Sequence, residues 1–551
     1  MDEALTGNRP VGHRALWLLF LAGFFLFGFS AHGYTENGDA RITMVAARAW
    51  LMRGDPGLVA AGDERLLARG QQSWRTERSI AAAILDADQP RFGKTGVNGK
   101  QYIWFPIGHQ LLLIPFVGLG ELFAHWFPGP EAALVAERND EWGDFFWAQF
   151  FCSLVPSLAA AGTLVLLFLL ARALACSPVE SISLSLIVTL CTQFWPGSSE
   201  TMSDMPGLVF LVAAFYGVLR FHQGAWQGPG LFLTGLCAGV AVSLRYPHAL
   251  PVLVLSAWAG ISAWKSGRGR QLGALVLGGM PALVFLVAAN YLRFGRLAET
   301  GYGGVTGFLT KPPWIGLYLV LFSWGKGVLW FSPPLIYALA LLRRRKLTAP
   351  VVAALLILVL PALLIASLHY WAAGMCWGIR YLTPSVVLLV AVVFAQERPW
   401  RRPWFWFAAV CALGFLVNLG GVLTPYRGQQ QLANYALHLD DPNPGADVIN
   451  IRWAYSPLLS DWTYAYLSLS GRIDSGRPED TIQPLFGQEV PLGSPPPRLT
   501  FREDSRFRHL LLFYLDDRIG GFPLWLALIL WGFATAICWR AALRHLLRPP
   551  A

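Results

Sequence analysis

Twelve apolar runs, most of them close to the ~20 residues a helix needs to cross a hydrocarbon core, set the limits on how this chain can fold. They are Ala15–Ala31, Phe145–Arg172, Ser177–Trp195, Met205–Phe221, Gly230–Leu244, Pro251–Trp264, Gln271–Tyr291, Val328–Leu342, Val351–Leu368, Pro384–Ala395, Trp404–Leu423 and Phe522–Cys538. No water-soluble core could enclose so many helices that are apolar on every side. Composition agrees: 55% of the 551 residues are hydrophobic and only 14% charged, where a soluble chain carries roughly 25% charged residues. The expectation is an all-α polytopic membrane protein with about 12 transmembrane helices. Arg9 and Arg14 precede the first run as they would in a signal peptide. That run is too long for such a segment and lacks an A-x-A site, so it reads as an anchor.

The net charge of +10 does not point to nucleic acid, because the cations form no stripe on a soluble domain. They flank the apolar runs on alternate sides: Arg172; Arg220; Lys265, Arg268 and Arg270; Arg343, Arg344, Arg345 and Lys346; Arg398, Arg401 and Arg402; Arg540 and Arg544. With Arg9 and Arg14 these define one cytoplasmic face, with both termini on it. That assignment holds only if a further apolar run, Ile107–Ala124, does not cross. It is therefore expected as a re-entrant or interfacial helix. The seven cysteines are scattered singly, with no C-x-x-C pair, so neither a disulfide framework nor redox chemistry follows.

This topology leaves short basic inner loops and long outer segments. The outer ones are His32–Asp144, Pro196–Asp204, Tyr246–Leu250, Leu292–Gly327, His369–Thr383 and Thr424–Gly521. There is no Walker A sequence and no H-E-x-x-H, which argues against a nucleotide site inside. Function is expected at the outer face.

Within the outer segments, Ile42, Val45, Ala46, Ala49 and Met52 recur at helical spacing. Arg41 and Arg48 fall on another face, as in an amphipathic helix lying on the membrane surface. Asp39 begins that helix, either as a cap or as a general base, with Glu36 as the nearby alternative. Asp86-Ala87-Asp88 is a D-x-D triplet of a kind that arises by chance, and no metal site is assigned. His109 follows Tyr102-Ile103-Trp104-Phe105-Pro106, a kinked aromatic segment suited to headgroups. Three cations stand at outer helix ends among Gly, Trp or Tyr: Arg245, Lys326 and Arg380. Charges at such depth are costly and often functional, and all three suit a phosphate.

The order of these pieces resembles the GT-C superfamily of membrane glycosyltransferases. The carriers are the carboxylate after the first run, Ser199-Glu200-Thr201-Met202-Ser203-Asp204, Leu244-Arg245-Tyr246-Pro247, Asn290-Tyr291-Leu292-Arg293-Phe294-Gly295 and Thr300-Gly301-Tyr302. Ser323-Trp324-Gly325-Lys326-Gly327 and Trp377-Gly378-Ile379-Arg380-Tyr381-Leu382 complete the set. Within the superfamily the chain looks like the family 39 group, related to protein O-mannosyltransferases and the lipid A aminoarabinose transferase. Where the mannosyltransferases carry Asp-Glu and His-Pro-Pro-Leu-Gly-Lys, this chain has Gly38-Asp39-Ala40 and Phe105-Pro106-Ile107-Gly108-His109.

The resemblance implies a transmembrane catalytic domain over residues 1–423, with a first outer loop at 32–144. An outer segment of unassigned role (424–521) and a last helix with a basic tail (522–551) follow. It implies a polyprenyl-phosphate-linked sugar as donor and a glycan, lipid or protein acceptor, in an inverting, metal-independent transfer without cofactor at a bacterial cytoplasmic membrane. Asp39 becomes the base, Arg245, Lys326 and Arg380 the donor-phosphate ligands, and Glu36, His109, Asp204 and Tyr302 further candidates for substrate contact. A lipid-linked glycan ligase and a flippase or transporter of lipid-linked sugar remain the alternatives.

Overall fold

The computed structural model describes residues 11–35, 38–58, 80–81, 93–97, 99–137, 145–302, 309, 312–343, 347–401, 404–441, 447–475, 477–491 and 506–547. Among these the chain is a bundle of α-helices whose one sheet is a two-stranded hairpin, Gly93–Thr95 with Gln101–Ile103. Eight helices are long and apolar enough to cross a membrane, and five shorter apolar helices accompany them.

Every one of the twelve apolar runs forms helix. Val328–Leu342 divides into Val328–Phe331 and Pro333–Leu342, because Pro333 and Pro334 lack the amide protons needed to continue a helix. Pro313–Phe322, within an expected outer segment, is also helical. Its ten residues are too few to register as a span by length.

Direct contacts sort the helix ends into two groups. At one end Gln223 donates to the Ala173 carbonyl at 2.8 Å, Arg268 to Phe221 at 2.9 Å, and Arg398 to Ala175 at 2.6 Å. Ser177 and Glu180 cap a helix there through reciprocal side-chain bonds, and Arg401 pairs with Glu180 at 2.7 Å. Arg172, Arg220, Arg268, Arg398 and Arg401, all from the basic clusters that flank the apolar runs, therefore gather at this end.

At the opposite end His32 N–H reaches the Ser199 carbonyl at 3.3 Å and Leu511 N–H reaches Ala31 at 2.8 Å. Thr35 Oγ donates to Gln149 Oε1 at 3.0 Å there too. The segments around Asp39, Asp204, Arg245 and Arg380 converge on this same end.

The Ile107–Trp126 helix runs continuously through Pro115 and is not a re-entrant hairpin, although its length and composition would suit a span. Its first turn touches the last turn of Gly228–Leu244, where a Cβ on Gly108 would lie 2.5 Å from the Ser243 carbonyl. Near its other end, a Cβ on Gly120 would lie 2.4 Å from Ala148 Cα, at the start of Phe146–Ala173. Both contacts lie at the same end of the bundle, so the helix runs along that end.

The Gly38–Arg53 helix forms where helical spacing placed it but corrects the expected setting. Arg41 and Arg48 are both buried along with Ile42, Val45, Ala46 and Ala49, whereas Met52 is exposed. Arg48 is held by Glu121 and lies 4.7 Å from the Phe145 ring centroid, while Arg41 donates to the Thr35 carbonyl at 3.2 Å. The sequence pattern cannot register partners that are distant in the chain, and these remove the solvated face.

Candidate active site

Asp39 occupies the first turn of Gly38–Arg53, where unpaired amide N–H groups favour a negative charge. Its Oδ2 accepts a hydrogen bond from Arg380 Nη2 at 2.9 Å. Arg380 opens the short turn Arg380–Leu382 that leads into the Thr383–Glu397 helix. Its other terminal nitrogen lies 2.6 Å from Met202 Sδ and 4.0 Å from Asp204 Oδ2.

Asp204 begins its own helix and pairs through the same Oδ2 with Arg245 Nη1. Arg245 also donates to Ser203 Oγ at 3.3 Å. Two carboxylates and two guanidiniums thus alternate: Asp39, Arg380, Asp204, Arg245. The Tyr381 ring lies 4.5 Å from the Arg245 guanidinium carbon and 5.3 Å from that of Arg380, within cation–π range of both.

Arg380 Nε and Asp204 Oδ1 are buried with no hydrogen-bond partner among the described residues. A buried unpaired donor beside a buried unpaired acceptor is costly unless a polar ligand completes the set.

Lys326 is set one layer further in and has no exposed surface at all (0%). Its ammonium donates to the carbonyls of Gly374, at 2.9 Å, and Cys376, and lies 4.4 Å from the Tyr426 ring centroid. An ammonium has three donors, and Cys376 Sγ at 3.7 Å is a further acceptor beside these groups. The carbonyls belong to a loop with three residues at positive φ: Ala373 (62°), Gly374 (80°) and Gly378 (56°). At Gly378 glycine suits both the positive φ and a close approach, since a Cβ would fall 2.6 Å from Gln193 Oε1. Burial pushes Lys326 below the ordinary lysine pKa, opposed by Cys376 and the Glu200 carboxylate. Glu200 accepts the Trp377 N–H at 3.3 Å, so the same loop is tied from a second side. Two residues after Gly378 the chain delivers Arg380.

An aromatic wall closes the cluster. Tyr302 stacks on Trp104 with centroids 5.4 Å apart and planes at 11°, and meets Tyr246 edge-on at 6.2 Å. Burial raises the Tyr302 pKa, with Tyr381 and Asp39 adding to the rise and Arg245 opposing it. Arg293 pins the wall by donating to the carbonyls of Ile103 at 3.2 Å and Phe105 at 3.3 Å, and to Asn290 Oδ1 at 2.6 Å. His109 and His248 are both buried within the electrostatic reach of Asp204 and Arg245.

Of the residues singled out from sequence, Asp39, Asp204, Arg245 and Arg380 are in direct contact, and His109 and Tyr302 border them. Lys326 joins through the 373–378 loop. Glu36, Asp86 and Asp88 lie outside the described residues. Among the described residues no group of three His, Cys, Asp or Glu side chains is placed to hold a metal ion. Sequence reasoning missed Glu200, Tyr381, Arg293 and Tyr426. The first three stand inside the quoted segments, and their proximity to an arginine or acid was the available signal. Tyr426 had none, since it meets Lys326 only in the fold.

Among solved structures the chain is similar to that of ArnT from Cupriavidus metallidurans bound to undecaprenyl phosphate. Identity is 12%, with 86% of this chain and 84% of that chain covered, and the TM-score is 0.43. It is also similar to the archaeal oligosaccharyltransferase AglB from Archaeoglobus fulgidus in complex with an inhibitory peptide and a dolichol-phosphate. There identity is 9%, with 86% and 64% covered and a TM-score of 0.39. No family model and no curated protein matches the sequence.

Proposed function

We propose that this chain is a membrane glycosyltransferase that moves a sugar from a polyprenyl-phosphate donor to an acceptor hydroxyl. The observation that carries the reading is the Asp39–Arg380 hydrogen bond at 2.9 Å inside the Asp–Arg–Asp–Arg cluster. The basic end of the bundle faces the cytoplasm by the positive-inside rule, so the cluster works on the outer side. There it meets donor lipid and acceptor glycan, lipid or protein.

In the free enzyme the Asp39 carboxylate accepts a hydrogen bond from Arg380. A donor phosphate competes for the same guanidinium and finds Arg380 Nε ready to donate. As Arg380 turns to the phosphate, the Asp39 carboxylate is released from that hydrogen bond and can accept one from the acceptor hydroxyl instead. Asp39 takes the hydroxyl proton, the acceptor oxygen attacks the anomeric carbon, and the bond to the phosphate oxygen breaks. The transition state is oxocarbenium-like, and one displacement inverts configuration. Arg380 and Arg245 stabilise the negative charge that grows on the leaving phosphate, which fixed cations achieve without reorganising at the moment of reaction. Lys326 acts from the buried layer by holding the loop that presents Arg380, and its charge adds to the field. Asp204 orients both arginines, and its free Oδ1 suits a sugar hydroxyl.

The test is release of polyprenyl phosphate from a panel of polyprenyl-phosphate sugars by purified protein in nanodiscs, with a membrane extract as acceptor. Wild type should release it from one donor and Asp39→Asn should not. Transbilayer movement of donor without release, unaffected by Asp39→Asn, would identify a flippase instead.

A further inference from the structure

The helix Pro457–Leu469 turns an apolar face outward. Its polar Ser460, Asp461 and Ser468 are buried together with Tyr464, Ala465 and Leu467, whereas Leu459 (45% exposed), Trp462 (46%), Tyr466 (60%) and Leu469 (62%) point away from the protein. The spacing i, i+3, i+7, i+10 makes these four one continuous stripe. Asp461 is the only charged residue in the helix, and it faces inward. Water selects the opposite arrangement, and an unbroken apolar stripe on a water-facing helix marks a surface made for another phase.

Its height on the bundle identifies that phase. A Cβ on Gly420 would lie 3.2 Å from Asp461 Oδ2, and Thr424 Oγ donates to the Asp461 carbonyl at 3.2 Å. The helix is therefore level with the last turn of Trp404–Leu423, itself a candidate span, which exposes Leu413 and Leu416 lower down. The stripe also continues sideways. Trp453 packs on Trp324 at 4.3 Å, and Trp324 stacks on Trp330 at 5.0 Å, at the head of Val328–Phe331. Ser456 Oγ holds this junction by donating to the Trp324 carbonyl at 2.6 Å. Tryptophan and tyrosine concentrate where hydrocarbon gives way to headgroups.

We infer that Pro457–Leu469 is a membrane-contact helix, lying in the headgroup–acyl boundary of the leaflet at the site end with Leu459, Trp462, Tyr466 and Leu469 immersed. The inference is independent of the transferase reading. It gives the segment after Leu423 a seat on lipid.

Spin labels on Leu459→Cys, Trp462→Cys and Tyr466→Cys would test it, with exposed Glu479→Cys as the aqueous control. Each full-length variant is placed in phosphatidylethanolamine–phosphatidylglycerol nanodiscs, checked by size exclusion, and the signal of the similarly treated parent is subtracted. The expected result is that collisions with oxygen exceed collisions with a water-soluble nickel chelate at the three stripe positions, with the reverse at Glu479→Cys. Nickel-chelate collisions dominating at all of them would overturn the inference in favour of a water-facing surface. Dipolar broadening that disappears on dilution with unlabelled chain would overturn it in favour of contact with a second copy. Three stripe positions keep the test decisive if one variant fails to fold.

Discussion

Asp39 and Arg380 are separated by 341 positions in the chain, yet the structure joins the carboxylate to the guanidinium at 2.9 Å. Asp39 keeps 31% of its side-chain surface open against 13% for Arg380. The acid is thus the member of the pair that an acceptor can reach. Removing its basicity with Asp39→Asn should lower turnover by about 10²–10⁴-fold, the usual contribution of a positioned base. The amide still accepts from Arg380, so binding of a polyprenyl-phosphate analogue should change far less. Parallel measurements of turnover and analogue affinity check both halves, and an equal loss in each would remove Asp39 from the chemistry.

The Asp204–Arg245 pair is buried on both sides. Truncating one partner strands the other. Asp204→Ala should destabilise the protein by roughly 3–5 kcal/mol, whereas Asp204→Leu combined with Arg245→Met should cost clearly less. Denaturation of the purified protein in detergent, read by tryptophan fluorescence, would compare the two. Activity should be absent from both, since each lacks the Asp204 carboxylate that orients the arginines.

Lys326→Met removes a cation that two backbone carbonyls depend on, each such charged hydrogen bond being worth about 1.5–3 kcal/mol. Because the loop it holds ends in Arg380, Lys326→Met and Arg380→Gln should be strongly non-additive in kcat/KM. The double variant should be little worse than the poorer single one. Additive losses in the four-variant cycle would mean that Lys326 acts on substrate separately from Arg380.

Burial holds the Asp461 carboxyl well above its ordinary pKa of 3.8, opposed by a hydrogen bond with Gln429. The fold therefore favours the neutral acid. Its contribution to stability is complete below the ordinary carboxylate value and is lost as pH rises through the raised one. Asp461→Asn keeps the shape and cannot ionise. Melting temperatures between about pH 5 and about pH 9 should fall less steeply for the variant than for wild type, leaving the variant the more stable at the alkaline end.

The helices were legible because a bilayer-length apolar run allows few folded outcomes. The turn at Arg380 and the pairing of Asp204 with Arg245 were not, because spacing along a chain carries no information about which helix ends meet. The residues of the cluster nevertheless could be named in advance, since charge at the end of an apolar run is rare enough to stand out. Lys326 shows the limit of that signal. Sequence marks it as costly to bury, while only the loop around Gly374 shows what its ammonium holds. Trp462 and Tyr466 went unread for the opposite reason. Their helix has 13 residues, four of them Ser, Thr or Asp, too polar on average to register as membranous. Only burial, residue by residue, separates its two faces.

The helix Ile107–Trp126 begins and finishes at the same end of the bundle, resting on Ser243 and Ala148. It thereby leaves the parity of the chain unchanged: whatever side the polypeptide occupies before Ile107, it occupies again after Trp126. Were this helix upright, every later loop would exchange compartments, and Arg380 would be carried away from Asp39. A segment that looks like a crossing and is none is what allows residues from the two halves of the chain to face one another.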